Sequence, residues 1–230
     1  MKKGLDRNQL KYIAIITMLI DHIAFCFIPV FTPIYNICRV IGKLTAPIMC
    51  YFLAEGYNYT SSKFKYGVRL LIFSIISQFA FSLAFYNTLF SLNLNMIFTL
   101  FICFIILLSY EKIKNKMIKW VTILFFTLIS AFCDWGVFAP LWVLVFYIFK
   151  EKKLAQVFSY YVVTIIAIII KFIIINNYPW NSICIYLGLF LFIPAISIYN
   201  GKKGNNNKFN KWFFYIFYPM HLFIIALIRL

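Results

Sequence analysis

The sequence has little charge, and nearly all of that charge has one sign. Only 12% of its 230 residues are charged, with six acidic residues against 22 lysines and arginines. Hydrophobic residues make up 64% of the chain and the mean hydropathy is +0.89, a composition that excludes a water-soluble globular protein. Hydrophobic runs of membrane-spanning length recur throughout, so we expect an all-α, polytopic transmembrane bundle forming one domain, residues 1–230.

The chain also lacks the motifs of several enzyme classes. It has no P-loop, no GxSxG and no HExxH, so ATP hydrolysis, serine hydrolysis and zinc-protease chemistry have no support. The six cysteines are scattered and form no CxxC pair. We therefore expect no thiolate metal site and no bound metal.

Hydrophobicity predicts about nine spans, of which the fifth and sixth are short, so that a tilted pair and a re-entrant hairpin both remain open for them. Their approximate bounds are 10–28, 37–53, 66–86, 92–109, 118–132, 137–149, 154–175, 183–198 and 212–228.

Basic residues occupy alternate loops between these spans. The other loops, which alternate with the basic ones, contain no lysine or arginine; examples are YNTLFSLNLN and NNYPWNS. This alternation predicts a protein of the cytoplasmic membrane with its N-terminus in the cytoplasm and its C-terminus outside. The same pattern accounts for the net charge of +16, so the expected partner is the lipid bilayer and not nucleic acid.

Ionisable side chains lie inside the first and last predicted spans. Asp21 and His22 are adjacent in TMLIDHIAF, and His221 lies in YPMHLF; the chain has no other histidine. At 1.5 Å per residue, His22 lies about 18 Å and His221 about 14 Å into its span, near the membrane midplane. Charged groups at that depth usually face a bundle interior or a cavity.

Asp21 continues a narrow seam of small and polar residues formed by Ala14, Thr17 and Ala24. Such a seam favours close packing against another helix, and a buried carboxylate needs a cation. We therefore expect Asp21 to pair with Arg39 or Lys43 from the second span. A purely structural ion pair explains this arrangement as well as a catalytic site does.

Other polar residues occur at span ends. Gln78 belongs to a polar stripe on the third span, and Asn93 lies at the start of the fourth, where the span and the preceding loop both remain open as its place. Glu55 ends the second span near the cytoplasm, at the level of Arg69, where an interfacial ion pair is the expected arrangement.

Several segments in order resemble the TraX family, membrane proteins that acetylate the N-terminus of F-type pilin, within the wider group of transmembrane acyltransferases. The segments that carry the resemblance are LKYIAIITMLIDHIAF, RVIGKLTAPIMCYFLAEGYNYT, KYGVRLLIFSIISQFAFSLA and LNMIFTL, with CDWG and YPMHL as looser landmarks. The resemblance implies transfer of an acetyl group from cytoplasmic acetyl-CoA, as co-substrate, to an acceptor. A peptide N-terminus, a sugar and a small amine all remain open as acceptors.

This chemistry suggests roles for the polar residues. His22 suits a general base or a covalent acetyl carrier, with Asp21 holding the helices in place and His221 as the alternative histidine. Arg39, Gln78 or Asn93 could donate to the thioester oxygen, and Glu55 could line the same polar site. The cytoplasmic cations suited to the phosphates of CoA are Lys63, Lys65, Arg69 and Lys112.

Two other classes of function remain open. A transporter or channel could use Asp21, His22 and His221 as a proton or solute relay. Transporters often contain matching halves with broken helices, and no internal repeat is evident here. A structural or assembly protein would leave the histidines at the midplane unexplained.

Overall fold

The fold is helical in the computed structural model, which describes residues 4–30, 32–174, 184–205 and 207–229. Within those residues no strand occurs, and only two isolated bridges join extended segments, Leu5 with Tyr199 and Leu94 with Cys133. The α-helices are α1 (Arg7–Phe27), α2 (Pro33–Gly42), α3 (Thr45–Tyr59), α4 (Lys63–Tyr86), α5 (Met96–Lys112), α6 (Lys116–Ile129), α7 (Phe138–Ile148), α8 (Lys153–Ile174), α9 (Phe192–Ser197) and α10 (Lys208–Arg229). Short 3-10 helices cover Ser130–Phe132 and Ile185–Leu191.

Polar residues just before the helices explain where several of them begin. Asp6 accepts a hydrogen bond from the Gln9 backbone at 2.9 Å while the Gln9 side chain accepts one from the Asp6 backbone, which forms a capping box at α1. Thr32 caps α2, whose first residue, Pro33, has no backbone N–H to leave unsatisfied. These caps replace hydrogen bonds that the first turn of a helix cannot make internally.

A membrane protein is confirmed, but the count of about nine spans is not. Every predicted span contains helical residues, yet five helices among the described residues are long and apolar enough to cross a membrane. They are Arg7–Phe27, Pro33–Tyr59, Lys63–Tyr86, Lys153–Ile173 and Trp212–Arg229. The second of these is α2 and α3 in succession, separated by a short turn. The loop NNYPWNS lies outside the described residues.

The chain forms two compact units. The first contains residues 1–49 and 157–217, and the second contains residues 50–156 and 218–230. The prediction of one domain stays a prediction.

In the first unit, α2 packs between α1 and the 3-10 helix at Ile185–Leu191. Gly188 permits this second contact, because a Cβ atom there would lie 1.9 Å from the Val40 carbonyl oxygen. Tyr160 of α8 donates a hydrogen bond to the Leu189 carbonyl at 2.8 Å, which ties α8 to the same segment. The polar side chains Asn36 and Arg39 of α2 are half-buried in the unit.

In the second unit, α5 is the central helix and contacts α4, α6 and α7. Its buried residues cover most of its circumference, and one stripe, formed by Phe98, Phe101, Ile105 and Leu108, is half-buried. A helix that is apolar all round is expected to be enclosed by its neighbours. The sequence predicts a membrane span in this region. The observed helix α5 has 17 residues, which is close to the shortest helix that crosses a bilayer.

Candidate functional site

Asp21 of α1 and Arg39 of α2 form an ion pair inside the first unit. The Arg39 Nη1 to Asp21 Oδ2 distance is 2.6 Å, and the two side chains are only 16% and 15% exposed. The rings of Phe25 and Tyr35 flank the guanidinium, with centroids 5.1 and 5.9 Å from its central carbon. The predicted pairing of Asp21 with Arg39 is confirmed.

Small residues bring the two helices close enough for this pair. Gly42 of α2 lies directly against Asp21, since a Cβ atom at Gly42 would be 2.2 Å from Asp21 Oδ1. One helical turn before Thr17, the Ala14 carbonyl accepts a hydrogen bond from Thr45 at 3.0 Å, and the Thr17 and Thr45 hydroxyls are 2.9 Å apart. The predicted packing seam on α1 is therefore confirmed.

The ion pair leaves polar atoms unsatisfied. Asp21 Oδ1 and Arg39 Nε are buried and have no hydrogen-bond partner within the described residues. Buried polar atoms nearly always have partners, so a site that leaves one acceptor and one donor unused needs an explanation. His22 follows Asp21 and is half-buried; adjacent helical residues point about 100° apart, so the two side chains face different directions.

Lys43, the alternative cation for Asp21, is also buried and only 8% exposed. Its Nζ lies over the ring of Tyr186, 5.6 Å from the centroid. The observed ion pair of Asp21 is with Arg39.

In the second unit, Gln78 and Asn95 form a buried network. Asn95 has no exposed surface; its Oδ1 caps α5, and its Nδ2 donates to Gln78 Oε1 at 2.9 Å and to the Ser74 carbonyl at 2.8 Å. Gln78 Nε2 donates to the Asn93 carbonyl at 2.8 Å, while the Asn93 side chain is exposed. Gln78 and Asn93 are thus brought together, with the Gln78 amide holding the start of α5. The sequence signal for Asn95 was its position before a helix.

His221 lies on α10 in the second unit and is 5% exposed. Its ring packs edge-on against Tyr218, with centroids 5.6 Å apart. The Tyr218 hydroxyl accepts a hydrogen bond from the Met96 backbone N–H at 3.2 Å, at the first turn of α5.

Near the predicted cytoplasmic end of the second unit, Glu111 joins three helices. Its Oε2 accepts hydrogen bonds from the Lys63 ammonium and, at 2.5 Å, from the buried Tyr57 hydroxyl. Two donors lower the pKa of the Glu111 carboxyl: the Lys63 ammonium has the larger effect and the Tyr57 hydroxyl the smaller one. Lys63, predicted as a CoA ligand, is therefore already paired. Sequence analysis missed this cluster, because its members are 48 and 54 residues from Glu111.

The other predicted cations of the second unit differ in their surroundings. Lys65 in the first turn of α4 and Lys112 in the last turn of α5 are exposed. Arg69 is half-buried, stacks over the Tyr66 ring at 5.6 Å, and has a buried Nε without a hydrogen-bond partner in the described part of the chain. Glu55 lies on α3, is half-buried, and takes part in at least one polar or electrostatic interaction.

Comparison with known proteins assigns the chain to a family. The family described as TraX protein matches residues 6–229, nearly the whole chain. The chain belongs to the TraX family. A full-length relative of this TraX protein is the probable fimbrial assembly protein FimC, serogroup H1, of Dichelobacter nodosus, which is 28% identical over 98% of this chain and 97% of its own length. The uncharacterized protein RP591 of Rickettsia prowazekii (strain Madrid E) is 36% identical over 31% of this chain and 25% of its own length. No solved structure matches this TraX protein.

Proposed function

We propose that this TraX-family protein is a membrane-embedded acetyltransferase that moves an acetyl group from cytoplasmic acetyl-CoA to an amine or hydroxyl acceptor. The observation that supports the proposal best is the enclosed Asp21–Arg39 pair with unused polar atoms, next to His22 in an apolar helix. A polar site inside a membrane helix bundle is costly and usually functional. The likeness to a fimbrial assembly protein makes a pilin-like peptide N-terminus the first acceptor to test.

In the proposed reaction, the acceptor amine attacks the thioester carbon, a C–N bond forms, and the C–S bond breaks. His22 takes the proton that the amine loses and passes it to the departing CoA thiolate, so the products are the acetylated amine and CoA. The unpartnered Arg39 Nε–H is suited to donate to the thioester oxygen as that oxygen gains negative charge. Asp21 fixes the guanidinium in position through the ion pair.

The donor is proposed to enter from the cytoplasm, with the N-terminus of the protein on that side, as the positive-inside pattern predicts. Lys65, Arg69 and Lys112 are the cations proposed to hold its phosphates. Among these, Arg69 carries the most weight, because it is half-buried beside an aromatic ring with an unsatisfied N–H. Lys63 contributes less to this role, because Glu111 already balances its charge.

The test is transfer by the purified, detergent-solubilised protein. The protein is incubated with acetyl-CoA and a peptide bearing a free N-terminus; free CoA thiol is measured by colorimetry and acetylated peptide by mass spectrometry. The proposal expects both products in equal amounts. Peptide-independent release would indicate hydrolysis only, and proton or solute flux in liposomes without CoA release would indicate the transporter.

A further inference from the structure

One face of α2 carries three polar side chains on successive turns. Asn36, Arg39 and Lys43 follow one another at spacings of three and four residues. At 100° per residue, Asn36 and Lys43 both point within about 60° of Arg39, and side chains at these spacings are neighbours on a helix surface. These three residues are called the polar stripe of α2.

The polar stripe faces the interior of the first unit. Arg39 meets α1 through its ion pair with Asp21. Lys43 lies against the 3-10 helix at Ile185–Leu191, because a Cβ atom at Gly188 would be 3.0 Å from the Lys43 Cβ. The opposite side of α2 is open, and Ile37 on that side is 59% exposed. Asn36 therefore belongs to the enclosed side of the helix.

Asn36 contributes an acceptor that the described protein leaves unused. Its Oδ1 is buried and has no hydrogen-bond partner in the part of the chain that the structure describes. The same holds for Arg39 Nε, one turn further along α2, and for Asp21 Oδ1 of the ion pair. Buried polar atoms without partners destabilise a fold, so three of them around one ion pair indicate that a polar ligand completes their hydrogen bonds.

The direction of α2 places Asn36 on the outer side of Arg39. The segment 29–36 contains no charged residue and is predicted to lie outside, so α2 runs from the outside towards the cytoplasm. Lys43 is then one turn on the cytoplasmic side of Arg39. A thioester held at Arg39 by a donor from the cytoplasm extends past Lys43, which leaves the side of Asn36 to the acceptor.

We propose that Asn36 binds the acceptor: its Oδ1 accepts a hydrogen bond from an N–H or O–H group of the acceptor and so places the attacking atom beside the thioester. The inference rests on the acetyltransferase function proposed above and adds one residue to its site. Both N–H and O–H groups donate to an amide oxygen, so this role is the same for every acceptor left open above.

The test compares four proteins with acetyl-CoA and penta-alanine amide as substrates. They are wild type, Asn36→Ala, Asn36→Asp, which keeps an oxygen at the position of Oδ1, and Ile37→Ala. The last is the matched control, since it shortens the adjacent, exposed side chain of the same helix. Because Oδ1 makes no hydrogen bond within the described residues, Asn36→Ala should melt near the temperature of Ile37→Ala.

In Asn36→Ala, KM for penta-alanine amide should rise about tenfold, the effect of losing one hydrogen bond to the substrate. KM for acetyl-CoA should stay unchanged, Asn36→Asp should keep most of the affinity for the peptide, and Ile37→Ala should match wild type. An unchanged KM for the peptide, an equal rise of both KM values, or an equal loss in Asn36→Asp would overturn the proposal. So would a large fall in the melting temperature of Asn36→Ala, because the oxygen would then stabilise the fold.

A binding measurement separates this inference from the proposed function. If wild type transfers no acetyl group, binding of penta-alanine amide is measured by calorimetry without acetyl-CoA. Binding that Asn36→Ala weakens and Asn36→Asp retains would support the acceptor site although the acetyltransferase proposal had failed. Equal binding to wild type and Asn36→Ala, or none to wild type, would overturn the acceptor site.

Discussion

Removal of the Asp21 carboxylate should destabilise the first unit strongly. Asp21→Ala leaves the Arg39 guanidinium, whose side chain is only 16% exposed in the intact pair, without its counter-ion among the rings of Phe25 and Tyr35. Breaking one side of a buried ion pair costs about 3–5 kcal/mol. At a few degrees per kcal/mol for a chain of this size, the melting temperature should fall by roughly 6–20 °C.

The assay is thermal unfolding in detergent of Asp21→Ala, Arg39→Ala and the double variant, with Glu151→Gln as the exposed-charge control. If the two groups stabilise each other, the double variant should lose clearly less than the sum of the single losses, because it leaves no unpaired charge. The control should change the free energy of unfolding by about 0.5 kcal/mol or less. Single variants near the control, or losses that simply add, would refute a stabilising pair.

Three substitutions and one topology experiment extend the predictions. Gly42→Ala should cost about 1–3 kcal/mol in thermal unfolding, because its Cβ would lie 2.2 Å from the carboxylate of the ion pair; a loss no larger than that of an exposed glycine would contradict the close packing. Asn95→Ala should cost about 2–4 kcal/mol, whereas Asn115→Ala, an exposed cap, should cost about 1 kcal/mol; equal losses would refute the buried network. Because folding lowers the pKa of Glu111, the ionised carboxylate should stabilise the protein above its unfolded pKa of about 4.3, and this stabilisation should be lost as the pH falls through the folded pKa. In Glu111→Gln the free energy of unfolding should therefore fall less steeply at acidic pH, and an unaltered acid dependence would contradict the pairing. Reporters fused in the lysine-rich loops should be cytoplasmic and reporters in the uncharged loops external, and any loop on the wrong side would change the span count.

The ion pair could be predicted from the sequence for a simple physical reason. A carboxylate in an apolar helix needs a nearby cation, and few cations lie at a suitable depth. The small residues around Asp21 also indicated a packing seam, which Gly42 and the threonine contacts complete. The role of His22 in catalysis was a prediction from the sequence and stays one.

Other features depend on information that hydropathy does not contain. The turn between α2 and α3 falls at Lys43 and Leu44, inside a segment that is apolar enough on average to be predicted as one span, so hydropathy did not locate it. Glu111 meets Lys63 and Tyr57 across 48 and 54 residues, a tertiary contact that no local pattern predicts. The Gln78 amide makes hydrogen bonds at the start of α5, which the sequence did not indicate, and its part in a reaction site stays a prediction. A polar residue in an apolar helix thus indicates a partner without identifying it.

The first unit is proposed to contain the acetyl-transfer site, with His22 as its base. The most direct measurement is the rate of peptide acetylation at saturating acetyl-CoA by His22→Asn, beside Met18→Leu, a half-buried change one turn earlier on α1, and His221→Asn. His22→Asn is expected to fold and to lose about 100-fold or more in rate, while Met18→Leu is expected to stay near wild type. Full activity of His22→Asn, or loss of activity in His221→Asn alone, would contradict it.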